Sequence, residues 1–404
     1  VEDPKFRRFR YGVQVNSLGL TEQQPENNVY RILVEMLAVT LSKKARARAV
    51  QLPAWNEALG LPRPWDQQWS MRMQQIMAFE TDLLEYEDLF DGNQVVDAKV
   101  ESLKASARHE LETIETQGGA LNAIEYMKSR LVESNTDRLQ NIESNHTTVV
   151  GVNKFTNTEK SPLVSGDSGI MVVDPSVEKD QIDRLNLWRR KRDEKLVSKA
   201  LFNLRKAALD GQNIMPTSIE AARAGATTGE WAQEMRNIYG EYRGPTGVAM
   251  GISNKTDGLD ELRSAVDAVS DKLGERLKFL IGKPGLDGHS NGAEQIASRA
   301  RDCGMKIEYE GIRLTPQELV EAVKSTKAHV VGLSILSGSH IPLVQDMITL
   351  LTKEGLTKIP IVVGGIIPEE DKAKLLKMGI SKVYTPKDFE MNTIMMDIVN
   401  LAEP

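Results

Sequence analysis

The residue types best suited to chemistry are concentrated in one short segment, Lys283-Pro284-Gly285-Leu286-Asp287-Gly288-His289-Ser290-Asn291-Gly292. Together with Gly282 before it, the segment holds four glycines and a proline, which predicts a tight turn whose backbone a ligand can approach closely. A neutral imidazole on such a loop can ligate a transition metal, and a nearby carboxylate can accept a hydrogen bond from its other ring nitrogen. Asp287 and His289 have that relation. The segment therefore predicts a metal-ligating loop, and the alternative is a histidine that only caps a helix.

The elements around this loop predict an α/β domain with a parallel sheet. Five short apolar runs are predicted to be buried strands: Leu277–Gly282, Lys306–Glu310, Val330–Leu333, Ile359–Val363 and Lys382–Tyr384. Helical patterns between them begin near Asn291, Pro316, Pro342 and Glu369. Five strands joined by four helices at this spacing are typical of a doubly wound, flavodoxin-like sheet, whose ligands bind beyond the carboxyl ends of the strands. His289 follows the first strand and is expected at that end.

The first 80 residues twice repeat the order strand, loop and helix. The segment 11–16 alternates, which places Gly12 and Gln14 on one polar face of a strand and the two valines on the other. The further predicted elements are a helix after Pro25, a strand-like run at Ala49–Leu52 and a helix at about Asp66–Glu80. This order is typical of a parallel α/β sheet or barrel.

The middle of the chain shows helical patterns without a motif of its own. Gln94 to Ser134 is predicted to be helical with a break at Gly118-Gly119, Thr147 to Val152 to be a β-like piece, and Asp180 to Leu209 to be a charged helix. We interpret residues 146–270 as a connector and packing layer between two domains.

The composition excludes some classes of function. A length of 404 residues predicts two compact units, and a net charge of −6 gives no bulk reason to bind nucleic acid or an anionic membrane. The basic clusters at Lys43–Arg48 and Arg189–Arg192 are predicted to be solvated helix faces. Cys303 is the one cysteine of the sequence, which excludes an internal disulfide and fits a reducing, cytoplasmic compartment. No run approaches the ~18 apolar residues of a membrane span. The chain starts at Val1, so we expect a fragment of a longer protein.

The pattern Asp-x-His-x-x-Gly, formed by Asp287, Gly288, His289 and Gly292, resembles the signature of the cobalamin-binding domain shared by carbon-skeleton mutases and methionine synthase. The resemblance implies that His289 is the lower ligand of cobalt, in place of the cofactor's own dimethylbenzimidazole, with Asp287 hydrogen-bonded behind it. Lys283 matches a lysine that contacts this aspartate in the mutases.

Two further loops resemble the same family. Ser334-Ile335-Leu336 matches its Ser-x-Leu element, which implies that Ser334 and Leu336 line the slot for the displaced nucleotide tail of cobalamin. Gly364-Gly365 matches its Gly-Gly element, where absent side chains let the tail pack against backbone. An ordinary strand-end hydroxyl is the alternative for Ser334. His340 also matches a family position but could as easily be a surface residue, so it is left outside the predicted site.

The N-terminal region resembles the last third of the barrel of the adenosylcobalamin-dependent acyl-CoA mutases, the methylmalonyl-CoA mutase family. The matching stretches are Arg8 to Asn16, Leu20 to Asn28, Gln51 to Trp55 and Asn56 to Pro62. The resemblance implies the last strands of a (β/α)8 barrel. It also implies catalytic roles for Gln14, which faces the adenosyl and substrate cavity, and for Glu57, which contacts the adenosyl ribose. The predicted regions are 1–130 for the partial barrel, 131–274 for a helical linker and 275–404 for the cobalamin-binding domain.

Within this family the sequence resembles most the branch that acts on ethylmalonyl-CoA. It has Gly12 where the methylmalonyl-CoA branch has histidine and Pro53 where that branch has asparagine. The lost bulk at Gly12 is expected to admit an ethyl group, and lineage drift is the alternative. The expected reaction is a radical rearrangement of ethylmalonyl-CoA to methylsuccinyl-CoA, with adenosylcobalamin as cofactor and a homodimer as the full-length assembly.

Two other functions stay open. One is a mutase of methylmalonyl-CoA or isobutyryl-CoA, and the other is a non-catalytic cobalamin carrier or sensor, against which Gln14 and Glu57 argue. We expect the fragment alone to be inactive, because the family's residues that grip the acyl group lie largely on earlier barrel strands.

Overall fold

The structure is a computed structural model that describes residues 2–7, 10–45, 47–159, 161–164, 169–171, 174–248, 259–336, 338–385, 387–388 and 390–404. Arg8 and Phe9 of the mutase-like stretch and Arg46 of the first basic cluster lie outside the described residues. The chain divides into two compact units, Val1–Met171 with Pro245–Pro404, and Val172–Gly244. The boundaries of the functional regions at 130 and 274 stay a prediction. In the described ranges, the helices are too short or too polar to cross a membrane.

The N-terminal segment of the first unit contains a small parallel sheet. Strand β1, Gly12–Gln14, pairs with strand β2, Ala49–Gln51, so that Gln14 lies opposite Gln51. Gly12 and Gln14 are exposed and Val15 is buried, which confirms the alternation expected of this segment. The connecting helix α1 is Asn27–Leu41, and α2, Pro64–Phe79, follows β2. The predicted order of elements is therefore confirmed, whereas a sheet of two strands does not confirm a barrel.

Two long helices follow in the same unit. Helix α3, Gln94–Thr116, ends before Gly118 and Gly119, which both have a positive φ, and α4 is Ile124–Glu143. The predicted break at the two glycines is thus confirmed. The β-like piece predicted at Thr147–Val152 is wrong, because this segment forms turns with a single bridge between Val150 and Lys154.

The second unit, Val172–Gly244, is helical in its described part. Its helices are α5 Pro175–Lys191, α6 Glu194–Leu209, α7 Met215–Ala224 and α8 Thr228–Tyr239. The single helix expected at Asp180–Leu209 is wrong, because α5 ends before Arg192 and Asp193 accepts hydrogen bonds from the backbone N–H groups of Lys195 and Leu196. An aspartate in that position starts a new helix.

The C-terminal part of the first unit is a five-stranded parallel sheet. Its strands are β3 Lys278–Gly282, β4 Lys306–Tyr309, β5 Val330–Ser334, β6 Ile361–Gly364 and β7 Lys382–Tyr384. Its helices are α9 Asp260–Leu273, α10 Asn291–Asp302, α11 Pro316–Thr326, α12 His340–Lys353, α13 Glu369–Lys377 and α14 Met391–Leu401. The five predicted strands and the four predicted helices are confirmed, whereas α9 and α14 were not predicted as separate helices.

The strand order is β4-β3-β5-β6-β7, with the first strand of the domain in second place. This is the flavodoxin-like order, so the predicted doubly wound sheet is confirmed. Alternate residues of β3 enter separate apolar clusters: Phe279 and Ile281 pack with α9, α10 and α14, and Leu280 packs with α11 and α12. Helices cover both faces of the sheet, and the carboxyl ends of its strands remain as the place for a ligand.

Candidate functional site

The three predicted loops meet at the carboxyl ends of neighbouring strands. Gly282 at the end of β3 lies opposite Leu333 of β5, and Ser334 at the end of β5 lies opposite Gly364 of β6. The loop after β3 therefore begins next to Ser334, and Ser334 in turn lies next to Gly364 and Gly365. The sheet register thus brings Ser334 and Gly364 close to Lys283, although they are 51 and 81 positions away from it in the sequence.

Lys283 anchors the first loop. Its side chain is 1% exposed, and its Nζ donates hydrogen bonds to Asp287 Oδ2 at 3.1 Å, to the Ser334 carbonyl oxygen at 3.1 Å and to Ser334 Oγ at 3.3 Å. Burial lowers the pKa of Lys283, and the charge of Asp287 opposes that shift. A buried ammonium group with three oxygen partners fixes the loop to the end of β5.

Asp287 connects this lysine to the histidine. Its Oδ1 accepts hydrogen bonds from the backbone N–H of His289 at 3.0 Å and from His289 Nδ1 at 2.7 Å. Burial would raise the pKa of Asp287, but the hydrogen bonds from His289 and the charge of Lys283 outweigh it and lower the pKa to about 2. The carboxylate is thus ionised at neutral pH and can only accept, so Nδ1 of His289 carries the hydrogen.

The His289 ring itself is open to ligands. Its side chain is 78% exposed on the loop between β3 and α10. With Nδ1–H held by Asp287, the lone pair of a neutral ring lies on Nε2, which is the arrangement of a metal-ligating histidine with a carboxylate behind it. The alternative, a histidine that caps α10, lacks support because Ser290 is the N-cap residue.

The two glycines at the end of β6, Gly364 in the strand and Gly365 just after it, differ in what surrounds them. Among the described residues, a β-carbon added to Gly364 would meet no atom within 4 Å, whereas one added to Gly365 would lie 1.9 Å from the carbonyl oxygen of Ile335. Gly365 is therefore required by the fold, because the backbone of Ile335 and Leu336 passes directly over it. Gly364 faces open space and leaves room for a ligand, as does Gly292 at the start of α10.

Two further predicted cofactor-binding positions lie at the edge of this space. Gly288 directly precedes His289, and a β-carbon there would lie 3.3 Å from Arg313 Nη2. Leu336 is half-buried just beyond the end of β5.

The two predicted catalytic residues lie in the N-terminal segment. Gln14 is exposed on β1, and Glu57 is half-buried in the turn that follows β2. In the part of the chain described, no hydrogen bond or ion pair joins either side chain to the His289 loop. Their catalytic roles stay a prediction.

Sequence reasoning missed two polar contacts near the site. His340, at the start of α12, is buried and its Nε2 lies 3.0 Å from Asp371 Oδ2, so the alternative of a surface residue is wrong. Lys128 of α4 donates a hydrogen bond to Ser290 Oγ at 3.2 Å, directly after His289 in the sequence. Lys128 and Ser290 are 162 positions apart and carry no shared motif, so no signal in the sequence links them.

The arrangement fits the lower side of a corrin. It offers one exposed imidazole with its second nitrogen held by an ionised carboxylate, together with glycine backbone and open space at the ends of β5 and β6. Fold and site thus define a cobalamin-binding α/β domain, and residues 277–387 match the family model described as the B12 binding domain.

Comparison with known proteins places the rest of the chain. Residues 1–241 match the family model described as Methylmalonyl-CoA mutase, and the chain belongs to this family. It is 67% identical over 403 residues to ethylmalonyl-CoA mutase from Cereibacter sphaeroides, with 100% of this chain and 62% of that protein covered. It is 58% identical to ethylmalonyl-CoA mutase from Methylorubrum extorquens, with 100% and 59% covered. Methylmalonyl-CoA mutase from Escherichia coli is 30% identical, with 99% and 56% covered. The chain thus spans about three fifths of these relatives.

Proposed function

We propose that this chain is the cofactor-binding part of an adenosylcobalamin-dependent acyl-CoA mutase that converts ethylmalonyl-CoA to methylsuccinyl-CoA. The observation that carries the proposal is the chain of contacts from Ser334 through Lys283 and Asp287 to an exposed His289 ring. The identities of 67% and 58% to two ethylmalonyl-CoA mutases support the choice of substrate.

The loop residues hold the cofactor in this proposal. His289 Nε2 would ligate the cobalt, Asp287 would keep the ring oriented, and Lys283 would keep Asp287 ionised and in place. Ser334, Leu336, Gly364 and Gly365 border the slot for the nucleotide tail, with Gly288 and Gly292 giving close backbone access. When bound, adenosylcobalamin supplies the carbon radical that starts the rearrangement, and the protein supplies binding, orientation and exclusion of water.

The N-terminal segment completes the reaction chamber. We infer that β1 and β2 are the last strands of a (β/α)8 barrel whose other strands lie outside this chain, and that residues 131–274 connect this barrel to the cobalamin-binding domain at 275–404. Exposed Gln14 and half-buried Glu57 then face the adenosyl group and the substrate. Inward polar side chains make sense in a barrel through which the substrate passes, since barrel cores are usually packed with branched apolar residues.

Gly12 lies on the same face of β1 as Gln14 and is the proposed determinant of substrate size. A β-carbon at Gly12 would lie 3.4 Å from the Ala49 carbonyl oxygen, which is an ordinary contact. The absence of a side chain there is therefore not required by the local backbone packing. An open position beside Gln14 leaves volume for the ethyl branch of the substrate.

The proposal is tested with the full-length enzyme that contains this chain, in the presence of adenosylcobalamin. We propose that this full-length enzyme is a homodimer. We expect kcat/KM for ethylmalonyl-CoA to exceed that for methylmalonyl-CoA by at least about tenfold, since one methylene in a pocket changes binding by roughly 10- to 200-fold. Gly12→His should shift the ratio towards methylmalonyl-CoA. Gly19→His is the matched control, because a β-carbon at Gly19 also finds room but lies outside β1. Faster turnover of methylmalonyl-CoA or isobutyryl-CoA would refute the substrate, and cobalamin binding without any turnover would favour a carrier or sensor.

A further inference from the structure

The loop that carries His289 has a second anchor outside the cobalamin-binding domain. The anchor belongs to residues 1–241, which match the mutase family model and are called the mutase segment below. Lys128 of α4 reaches the start of α10, where its Nζ lies 2.6 Å from Glu294 Oε1 and 3.2 Å from Ser290 Oγ. The Glu294 side chain is 4% exposed and that of Lys128 is 27% exposed, so solvent screens this ion pair only weakly.

Ser290 does not play the usual role of a serine at the start of a helix. It is the N-cap residue of α10, yet its side chain makes no capping hydrogen bond. Serine is favoured at an N-cap because its hydroxyl accepts a hydrogen bond from the first turn of the helix. Here Ser290 Oγ accepts from Lys128 instead. The hydroxyl group of Ser290, next to the proposed cobalt ligand His289, is therefore hydrogen-bonded to α4 instead of to its own helix.

The dipole of α10 does not favour a lysine at this place. A cation beside the N-terminus of a helix is electrostatically unfavourable, and Glu294 in the first turn is needed to balance it. Gly247 packs closely against Lys128, since a β-carbon on Gly247 would lie 2.8 Å from the Lys128 carbonyl carbon.

We propose that Lys128 is a positioning residue that holds the carboxyl-terminal side of the His289 loop through Ser290. Lys283 holds the amino-terminal side through Asp287, so the imidazole lies between two lysine anchors, one from each region of the protein. The strength of the cobalt–histidine bond then depends on the mutase segment, as well as on the domain that carries the histidine. This inference rests on the proposed role of His289.

A second contact between the same helices provides the control. Arg299 Nη2 of α10 lies 2.9 Å from Glu143 Oε2 of α4, and the Arg299 side chain is 6% exposed. This ion pair joins α4 to α10 far from the loop, because Glu143 ends α4 and Arg299 is in the last turn of α10. Glu143→Gln therefore weakens the packing of the two helices without touching Ser290.

The test uses the full chain labelled with ¹⁵N-histidine and loaded with cob(II)alamin. The fraction of histidine-ligated cobalt is read from the doublet splitting by ¹⁵N in the electron paramagnetic resonance spectrum, and Kd is read from absorbance titration. We expect Lys128→Met to weaken binding roughly tenfold and lower the ligated fraction, in line with the loss of one charge-assisted hydrogen bond. Ser290→Ala, which leaves the Lys128–Glu294 pair intact, should lower the ligated fraction with about threefold weaker binding. Lys128→Arg should restore most of both.

Two results would overturn the inference. One is a ligated fraction and Kd in Ser290→Ala and Lys128→Met that stay within about twofold of the unmodified chain. The other is an equal loss in Glu143→Gln, which would show that helix packing alone is responsible. If Lys128→Met fails to fold by circular dichroism, Ser290→Ala and Glu143→Gln decide the matter. An unmodified chain without histidine-ligated cobalt would instead refute the proposed function, so the two failures are distinguishable.

Discussion

Replacement of each of the two glycines at the end of β6, Gly364 and Gly365, by alanine separates the requirements of the fold from those of the ligand. In Gly365→Ala the new β-carbon would lie 1.9 Å from the Ile335 carbonyl oxygen and 2.7 Å from its carbonyl carbon. Both distances are shorter than the 3.0 Å below which such contacts are essentially never found, so the backbone must move by more than an ångström. Such a movement strains the hydrogen bond from Ile335 N to the Gly364 carbonyl oxygen, which is 2.8 Å long.

The expected loss of stability follows from these contacts. Forced overpacking costs about 1–3 kcal/mol, and a weakened buried backbone hydrogen bond adds about 1 kcal/mol. We therefore expect Gly365→Ala to lower the free energy of unfolding by about 2–4 kcal/mol. Gly364→Ala, one residue away and facing open space, should change it by less than about 0.5 kcal/mol.

The assay is urea unfolding of both variants followed by circular dichroism, with cobalamin titration of the folded chain. Gly364→Ala should weaken cobalamin binding while the fold is kept, since its methyl group occupies the space proposed for the nucleotide tail. Equal stability of the two variants would refute the reasoning about Gly365. Unchanged cobalamin affinity in Gly364→Ala would refute the reasoning about Gly364.

Three further predictions concern other parts of the chain. The hydrogen bond from Arg192 lowers the pKa of Glu230 from its usual 4.5 to about 2, so the pair stabilises the second unit above pH 4.5 and the contribution is lost as the pH falls through about 2. Glu230→Gln should therefore lower the free energy of unfolding by about 2 kcal/mol at pH 7, a value that allows for screening by solvent. At pH 2 the same substitution should change it by almost nothing. Urea unfolding at both pH values tests this. Burial raises the pKa of Cys303 to about 11, so the thiol should react with a chromogenic disulfide at pH 8 only in denaturant, and rapid reaction of the folded chain would contradict this. Buried Asp66 accepts a hydrogen bond from Trp55 Nε1 at 3.0 Å, so Asp66→Ala should destabilise the N-terminal segment by about 3 kcal/mol in thermal unfolding, whereas a change below about 1 kcal/mol would show that the contact contributes little.

The C-terminal sheet and its loops could be predicted because local signals there agree with one another. Each strand is a short apolar run bounded by turn residues, and the strand predicted at Lys382–Tyr384 has the observed bounds. The relation of Asp287 to His289 is also local, since the two residues are neighbours on one turn. Period, turn chemistry and motif spacing therefore lead to the same structure.

The errors arose where side chains compete with a backbone pattern. Thr147–Val152 has the composition of a strand, yet Asn153 accepts a hydrogen bond from Val149 N and donates to the Thr147 carbonyl oxygen. These local bonds favour turns over a strand. The contact of Lys128 with Ser290 could not be predicted, because it depends on how two helices 162 positions apart pack together.

The most direct test of the central claim is whether the nitrogen of His289 binds the cobalt of cobalamin in this chain. The chain labelled with ¹⁵N-histidine and loaded with cob(II)alamin should show the doublet splitting of a ¹⁵N ligand, whereas unlabelled chain should show a triplet. Labelled His289→Ala should lose the doublet, and labelled His109→Ala, at an exposed position on α3, should keep it. A ¹⁵N doublet that persists in labelled His289→Ala would contradict the account.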